Sequence, residues 1–146
     1  MEVRNMENAV AMTIQGYSAQ QIIPAGWNMP HVVTVISKVL DTHNGWDAIN
    51  KKYVVKVAGQ YYITGSVQFM WGTSGYQCRV DILKNGATIA LTAGATNPLG
   101  AATPICNVIA NLNVNDYLQL SAAHDSPGTM VIQWAGTQLL AFCVGV

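Results

Sequence analysis

An antiparallel β-sandwich, built as one all-β domain, is the fold class that the sequence predicts. Val, Ile and Thr supply 38 of the 146 residues. They fall in short runs separated by Gly, Asn, Asp and Pro, which is the composition of strands and turns. No segment of helical length repeats its apolar residues at helical spacing. Turn signals recur about every 8–12 residues, which predicts about eight or nine strands and no helix.

The central strands follow from the alternation of apolar and polar residues. Residues 32–40 and 53–57 are predicted strands, joined by the polar loop 41–47. Residues 60–71 alternate most clearly, and a period of two over that length means one buried face and one polar face. The predicted buried face consists of Tyr61, Ile63, Gly65, Val67, Phe69 and Trp71.

A hairpin is predicted next, with strands at residues 76–84 and 87–93. Cys78, Val80 and Ile82 share the apolar side of its first strand. Asn85-Gly86 lies between the two strands, and this pair tolerates the positive φ angles of a type I′ turn. The sequence therefore fixes both the position and the type of this turn.

Four more strands are predicted at residues 105–112, 116–122, 129–134 and 137–144. The last of them is apolar on both faces, so its outer face needs a cover that a neighbouring subunit can supply. We expect a subunit interface that includes Tyr62, Tyr117, Leu139, Ala141 and Cys143.

The first 20 residues are polar and show no strand alternation. We therefore expect an N-terminal arm over residues 1–20 that docks onto another protein, followed by a single domain over residues 21–146. The candidate docking residues of the arm are Met6, Val10, Met12, Ile14 and Tyr17.

Charge is scarce and unevenly distributed. Charged residues make up 10% of the chain, seven of each sign, against about 25% in an ordinary domain. No basic residue follows Lys84, and a phosphate-binding face needs clustered cations, so nucleic-acid binding is not expected. The start of the chain has no signal-peptide pattern and no apolar run is long enough for a membrane span, so we expect neither secretion by that route nor membrane insertion. The scarcity of charged residues favours burial of surface against further copies of the chain.

No group of residues predicts catalysis, a cofactor or a metal. The loop 41–47 departs from the calcium-hand pattern, and Asx turns explain its Asp and Asn residues equally well. His31, His43 and His124 lack metal-ligand spacing, and residues 124–126 are adjacent, whereas the members of a triad converge from separate elements. The three cysteines lie apart in apolar segments, as buried free thiols do. We expect a binding protein and not an enzyme.

The tryptophans have two interpretations. Packing in the core or between subunits accounts for large rings near strand ends. A glycan-binding patch is the alternative, because sugar rings stack on aromatic faces, and its candidates are Trp27, Trp46 and Trp71.

Four segments, taken in order, resemble the jelly-roll superfamily of tumour necrosis factor and the complement one-q globular head. They are Tyr53-Val-Val-Lys-Val-Ala-Gly59-Gln-Tyr61-Tyr-Ile, Val80-Asp-Ile-Leu-Lys-Asn85-Gly86, Leu112-x-Val114-Asn-Asp116-Tyr-Leu-x-Leu120 and Leu139-Leu-Ala-Phe142. Upstream, Ile22-Ile-Pro-Ala-Gly-Trp27, Val39-Leu-Asp41 and Trp46-Asp47 resemble the opening of the same domain in many phage virion proteins. The resemblance covers residues 20–146.

The resemblance implies a jelly roll assembled as a compact homotrimer, with the first and last strands packed around the threefold axis. The chain has no collagen-like Gly-x-y repeat, so a complement or hormone role is not expected. We expect a phage virion protein assembled in the host cytoplasm, a decoration or cement protein on the outer capsid surface whose partner is the major capsid protein or another virion protein. The alternative is the receptor-binding knob of a tail or head fibre, which would bind a host surface glycan.

Overall fold

The computed structural model describes residues 10–16 and 20–145 and places them in two antiparallel sheets. This confirms the predicted all-β sandwich. The described residues contain no helix that could cross a membrane.

Sheet A has six strands and contains the beginning and the end of the described chain. Its main path runs in the order β10-β7-β12-β1-β4, and β2 pairs with β12 outside that path. The strands are β1 (Ala11–Gly16), β2 (Gln20–Pro24), β4 (Ile36–Asp41), β7 (Gly59–Met70), β10 (Ile105–Leu112) and β12 (Thr129–Gly145).

Sheet B lies opposite and also has six strands. Its order is β5-β6-β11-β8-β9, and β3 pairs with β11 outside that path. The strands are β3 (His31–Val32), β5 (Trp46–Asp47), β6 (Lys52–Val54), β8 (Gln77–Lys84), β9 (Ala87–Ala95) and β11 (Tyr117–His124).

The core lies between the sheets and is formed by the alternate residues that the sequence predicts. On β7 the buried side chains are Tyr61, Ile63, Val67 and Phe69, and on β8 they are Cys78, Val80 and Ile82. Gly65 is the close-approach point, because a Cβ there would lie 2.6 Å from Leu120 Cδ1 of the opposite sheet. Trp71 departs from the prediction: it follows the strand, has a φ of 65° and is exposed.

The predicted type I′ hairpin is confirmed. Asn85 and Gly86 have φ angles of 52° and 82°, and β8 and β9 pair on either side of them. The Asn85 side chain also bonds Asp116 Oδ1 at 2.8 Å and accepts the Tyr117 N–H at 2.9 Å, which ties this turn to the start of β11.

The prediction of an arm over residues 1–20 is corrected for the part that the structure describes. Residues 11–16 form β1, which is paired with β12 on one side and β4 on the other. Val10, Met12 and Ile14, expected to dock onto a partner, are buried in the core instead. Their alternation over a single short strand was too brief to be recognised in the sequence. Met6 and Tyr17 lie outside the described residues.

Two predicted strand boundaries also change. The segment 32–40 divides into β3 in sheet B and β4 in sheet A, with Val33 and Val35 buried where the chain crosses between the sheets. The last two predicted strands are one strand, β12, whose register shifts between Gln133 and Gln138. There the Ser66 hydroxyl donates to the Gly136 carbonyl at 2.9 Å, so the irregular segment remains hydrogen-bonded.

Candidate interaction surfaces

The outward side of four adjacent strands of sheet A carries no charged residue, and we call this surface the open face. Strands β1, β7, β10 and β12, which lie side by side, contain no Lys, Arg, His, Asp or Glu. These four neighbouring strands therefore form a continuous part of sheet A without charge, and the charged residues of the sheet lie on β4.

Strand register sets the side chains of the open face in rows. Phe142 pairs with Tyr62 on one side and with Ala11 on the other, and Tyr62 pairs with Ile109. The Tyr62 and Phe142 rings lie 5.3 Å apart between centroids. In the next row Leu140 pairs with Thr64 and Thr13. Aromatic and aliphatic side chains thus extend across four strands.

Within the described chain these side chains remain accessible. Ile109 is 59% exposed, Ile105 53%, Val144 47% and Phe142 40%. Isolated exposed apolar residues are normal, but a contiguous set of them marks an interaction surface.

The expected interface residues divide between different parts of the molecule. Tyr62 lies on the open face, whereas Leu139 and Ala141 are 0% and 1% exposed and point into the core. Cys143 packs against the same core. Tyr117 belongs to sheet B, where the Lys52 ammonium lies 4.5 Å from its ring centroid.

Leu139 and Ala141 therefore lie on the inner side of the final strand, and the interface expected from the sequence stays a prediction. The residues of β12 that reach the open face are the alternate ones, Leu140, Phe142 and Val144. Because the whole segment is apolar, only the pairing of Phe142 with Tyr62 distinguishes the two sides.

A second candidate surface lies at the end of the sandwich where β7 ends and β8 begins. Residues 71–76, 96–100 and 124–128 form a bonded unit, which we call the loop platform. The Gly72 N–H donates to the Gly100 carbonyl at 2.9 Å, and the Gly75 N–H to the Thr96 carbonyl at 3.1 Å. The loops are thus fixed by backbone hydrogen bonds.

The loop platform exposes large side chains. Trp71 is 62% exposed and Leu99 83% exposed. A tryptophan with positive φ is strained, and residues in such conformations cluster at functional sites.

The three tryptophans proposed for glycan binding are not brought together. Trp27 lies near the loop platform, since the Gly26 N–H donates to the His124 carbonyl at 2.9 Å, but its ring stacks with the Arg79 guanidinium. Trp46 packs against the core and pairs with Tyr53, which in turn pairs with Leu118. His124 lies six positions beyond Leu118 along β11, so Trp46 lies roughly 20 Å from that end.

The described residues contain no group of three or more His, Cys, Asp and Glu side chains placed to hold a metal. Asp41 Oδ2 accepts the Trp46 N–H at 2.8 Å, and Asp41 Oδ1 accepts the His43 N–H at 3.3 Å, which accounts for the polar loop as a turn. Burial raises the pKa of the Cys78 thiol to about 12 and that of the Cys106 thiol to about 11. Thiols of this kind are inert as nucleophiles at neutral pH.

No protein-family model matches the sequence, and no curated protein matches it. Solved structures do match the fold. Eiger, a tumour necrosis factor of Spodoptera frugiperda, superposes with a TM-score of 0.67 at 10% identity over 94% of this chain and 93% of that one. Murine APRIL gives 0.67 at 14% identity over 94% and 100% of the two chains. The globular domain of the zebrafish complement 1qA protein gives 0.59 at 12% identity over 94% and 98%. The fold is therefore a jelly roll like those of tumour necrosis factor and complement one-q.

Proposed function

We propose that this jelly-roll chain is a structural protein that assembles as a homotrimer through its open face. The observation that carries the proposal is the set of four adjacent strands without a charged residue, on which apolar side chains remain 40–59% exposed. Burial of such a surface is the dominant favourable contribution to association.

A second copy of the chain is the occupant that the charge distribution favours. A partner of opposite charge has nothing to pair with on the open face, whereas two uncharged faces meet without desolvating an ion. The family resemblance implies three copies rather than two.

Light scattering of the full chain tests the assembly directly. The expected mass is about 47 kDa, three times the 15.7 kDa chain. A monodisperse 15.7 kDa species at micromolar concentration would overturn the proposal.

The role we propose for the trimer is decoration of the outer surface of a phage capsid. The support is the resemblance of the opening segments to phage virion domains, together with a surface suited to binding and a sequence without a catalytic pattern. Because β1 begins at Ala11, any docking arm is confined to the residues before it.

Truncation separates docking from assembly. Deleting residues 2–8 preserves β1, so we expect trimers of undiminished stability that no longer pellet with purified virions. Undiminished pelleting of the truncated trimer would contradict a docking arm. Immunogold labelling of virions supplies the location: label on the head supports decoration, and label only on fibre tips contradicts it.

A receptor-binding knob is the second candidate, and the exposed, strained Trp71 favours it. Trp71→Ala should then reduce adsorption of the protein to host cells, since ring stacking contributes about 0.5–1.5 kcal/mol to an aromatic contact. Trp134→Ala is the matched control, because Trp134 is also exposed but lies on β12, outside the loop platform. Equal adsorption of both variants and the parent chain would exclude a role for Trp71.

A further inference from the structure

Three residues with sulfur or nitrogen ligand atoms are buried in the core next to the loop platform. They are Cys78 on β8, His124 on β11 and Met130 on β12, and all three are 0% exposed. Cys78 Sγ lies 3.7 Å from Met130 Sδ.

His124 presents an unpartnered nitrogen in this region. Its Nε2 lies 2.7 Å from the Ile23 carbonyl oxygen. A carbonyl only accepts, so Nε2 carries the hydrogen and Nδ1 carries a lone pair. Nδ1 is buried and has no hydrogen-bond partner. Metal-ligating histidines are oriented in the same way, by donating their other ring N–H to a carbonyl or carboxylate.

Strand register places His124 beside Cys78. The two residues are directly opposite, and the neighbouring Asp125 N–H donates to the Gln77 carbonyl at 3.1 Å. Residues 78 and 124 are therefore a non-hydrogen-bonded pair, in which Cβ atoms lie about 4.5–5.5 Å apart on the same face. Both side chains face the core.

The sulfur separation agrees with shared coordination. Two sulfur ligands about 2.3 Å from one ion lie about 3.8–4.0 Å apart at bond angles between tetrahedral and trigonal. The two strands thus hold the thiol and the thioether 3.7 Å apart, close to the separation that two sulfur ligands of one ion need.

We propose that Cys78 Sγ, Met130 Sδ and His124 Nδ1 form a binding site for a soft monovalent cation, Cu(I). Soft thiolate and thioether ligands suit Cu(I), zinc and iron–sulfur clusters, and the charge of the site favours Cu(I) among these. One thiolate neutralises the single positive charge of Cu(I) in a core where a net charge would be costly, whereas Zn²⁺ would leave one charge uncompensated. This site is independent of the proposed assembly.

Binding replaces a proton with the metal. The Cys78 S–H bond breaks, its proton leaves to solvent, and an S–Cu(I) bond forms without any change in oxidation state. Because the proton of the thiol is released on binding, the apparent affinity should rise with pH.

The experiment is an anaerobic titration of the full chain with Cu(I) against a chromogenic chelator. A Cys143→Ser background removes the more accessible thiol. We expect one Cu(I) per chain, and absorption spectroscopy at the copper edge showing two sulfur ligands and one nitrogen. Cys78→Ser should abolish this binding, and Met130→Leu, which preserves volume, should weaken it about 10–100-fold.

Cys106→Ser is the control, because Cys106 is a buried thiol on β10, and it should leave the affinity unchanged. His124→Phe tests the nitrogen ligand, and if that variant does not fold, Met130→Leu still decides the matter. No binding, binding that survives Cys78→Ser, or full affinity in Met130→Leu would each overturn the site.

Discussion

A negative charge placed on the open face should dissociate the assembly without unfolding the chain. Ile109→Asp is the most direct test, because Ile109 is on the outward side of edge strand β10 and is 59% exposed in the single chain. Its side chain contributes little to the core of one subunit, so loss of assembly and loss of folding can be distinguished.

The magnitude follows from the exposed fraction. Fully burying an isoleucine is worth about 1.5–3 kcal/mol, so covering the 59% that is exposed contributes about 1–2 kcal/mol per copy. Three copies together contribute about 3–6 kcal/mol, which corresponds to a factor of about 10²–10⁴ in the trimer association constant. An unpaired buried carboxylate adds several kcal/mol to that penalty.

Sedimentation velocity over a concentration series measures the effect, and urea denaturation of the monomeric species checks the fold. Ile49→Asp is the matched control, because Ile49 is 92% exposed in the turn between β5 and β6 of the other sheet. We expect Ile49→Asp to sediment like the parent and Ile109→Asp to sediment as a 15.7 kDa monomer. Unchanged association of Ile109→Asp would refute the assignment of the open face as the interface.

Three further predictions concern the fold. Ile14→Ala should reduce the free energy of unfolding in urea by about 2–5 kcal/mol, because the Ile14 side chain is 0% exposed. Val39→Ala, at a 63% exposed position, should change this free energy little. Equally small effects of both variants would contradict the placement of β1 in the core. Gly100→Ala should reduce the free energy of unfolding by about 2–3 kcal/mol, because φ is 73° and a Cβ would overlap the Gly72 carbonyl. At Gly94 a Cβ meets nothing within 4 Å, so Gly94→Ala should leave stability nearly unchanged. Similar melting temperatures of the two variants would contradict this prediction. Hydrogen bonds from a backbone N–H and, next, from an asparagine side chain hold the pKa of Asp116 below its ordinary value. The stability that the ionised Asp116 contributes is therefore present above about pH 4 and is lost as the pH falls through the lowered folded-state pKa. Asp116→Asn should reduce the loss of unfolding free energy at acidic pH, and an unchanged loss in that variant would contradict the prediction.

Local chemistry explains why much of the fold could be predicted from the sequence. The alternation along residues 60–70 predicted the buried face of β7, and the pair Asn85-Gly86 predicted a type I′ turn. Both signals depend only on neighbouring residues. The ordered segments from Tyr53 to Phe142 identified the jelly roll.

What escaped prediction depends on contacts between distant segments. Nothing near Met12 and Ile14 indicates that they insert between β12 and β4, about 125 residues away in one case. The side of β12 that carries the open face depends on its pairing with β7 and is invisible in a strand that is apolar throughout. The cluster of Cys78, His124 and Met130 comes from three separate strands, so no spacing in the sequence could reveal it.

The position of β12 also constrains the order of events during synthesis. β12 follows every other described strand along the chain, yet it pairs with β7 on one side and with β1 and β2 on the other. Until its residues leave the ribosome, the uncharged strands β1 and β7 have no partner between them, and unpaired apolar edges of that kind invite aggregation. The nascent chain is therefore most vulnerable immediately before its last strand emerges, and chaperone dependence should be greatest at that stage.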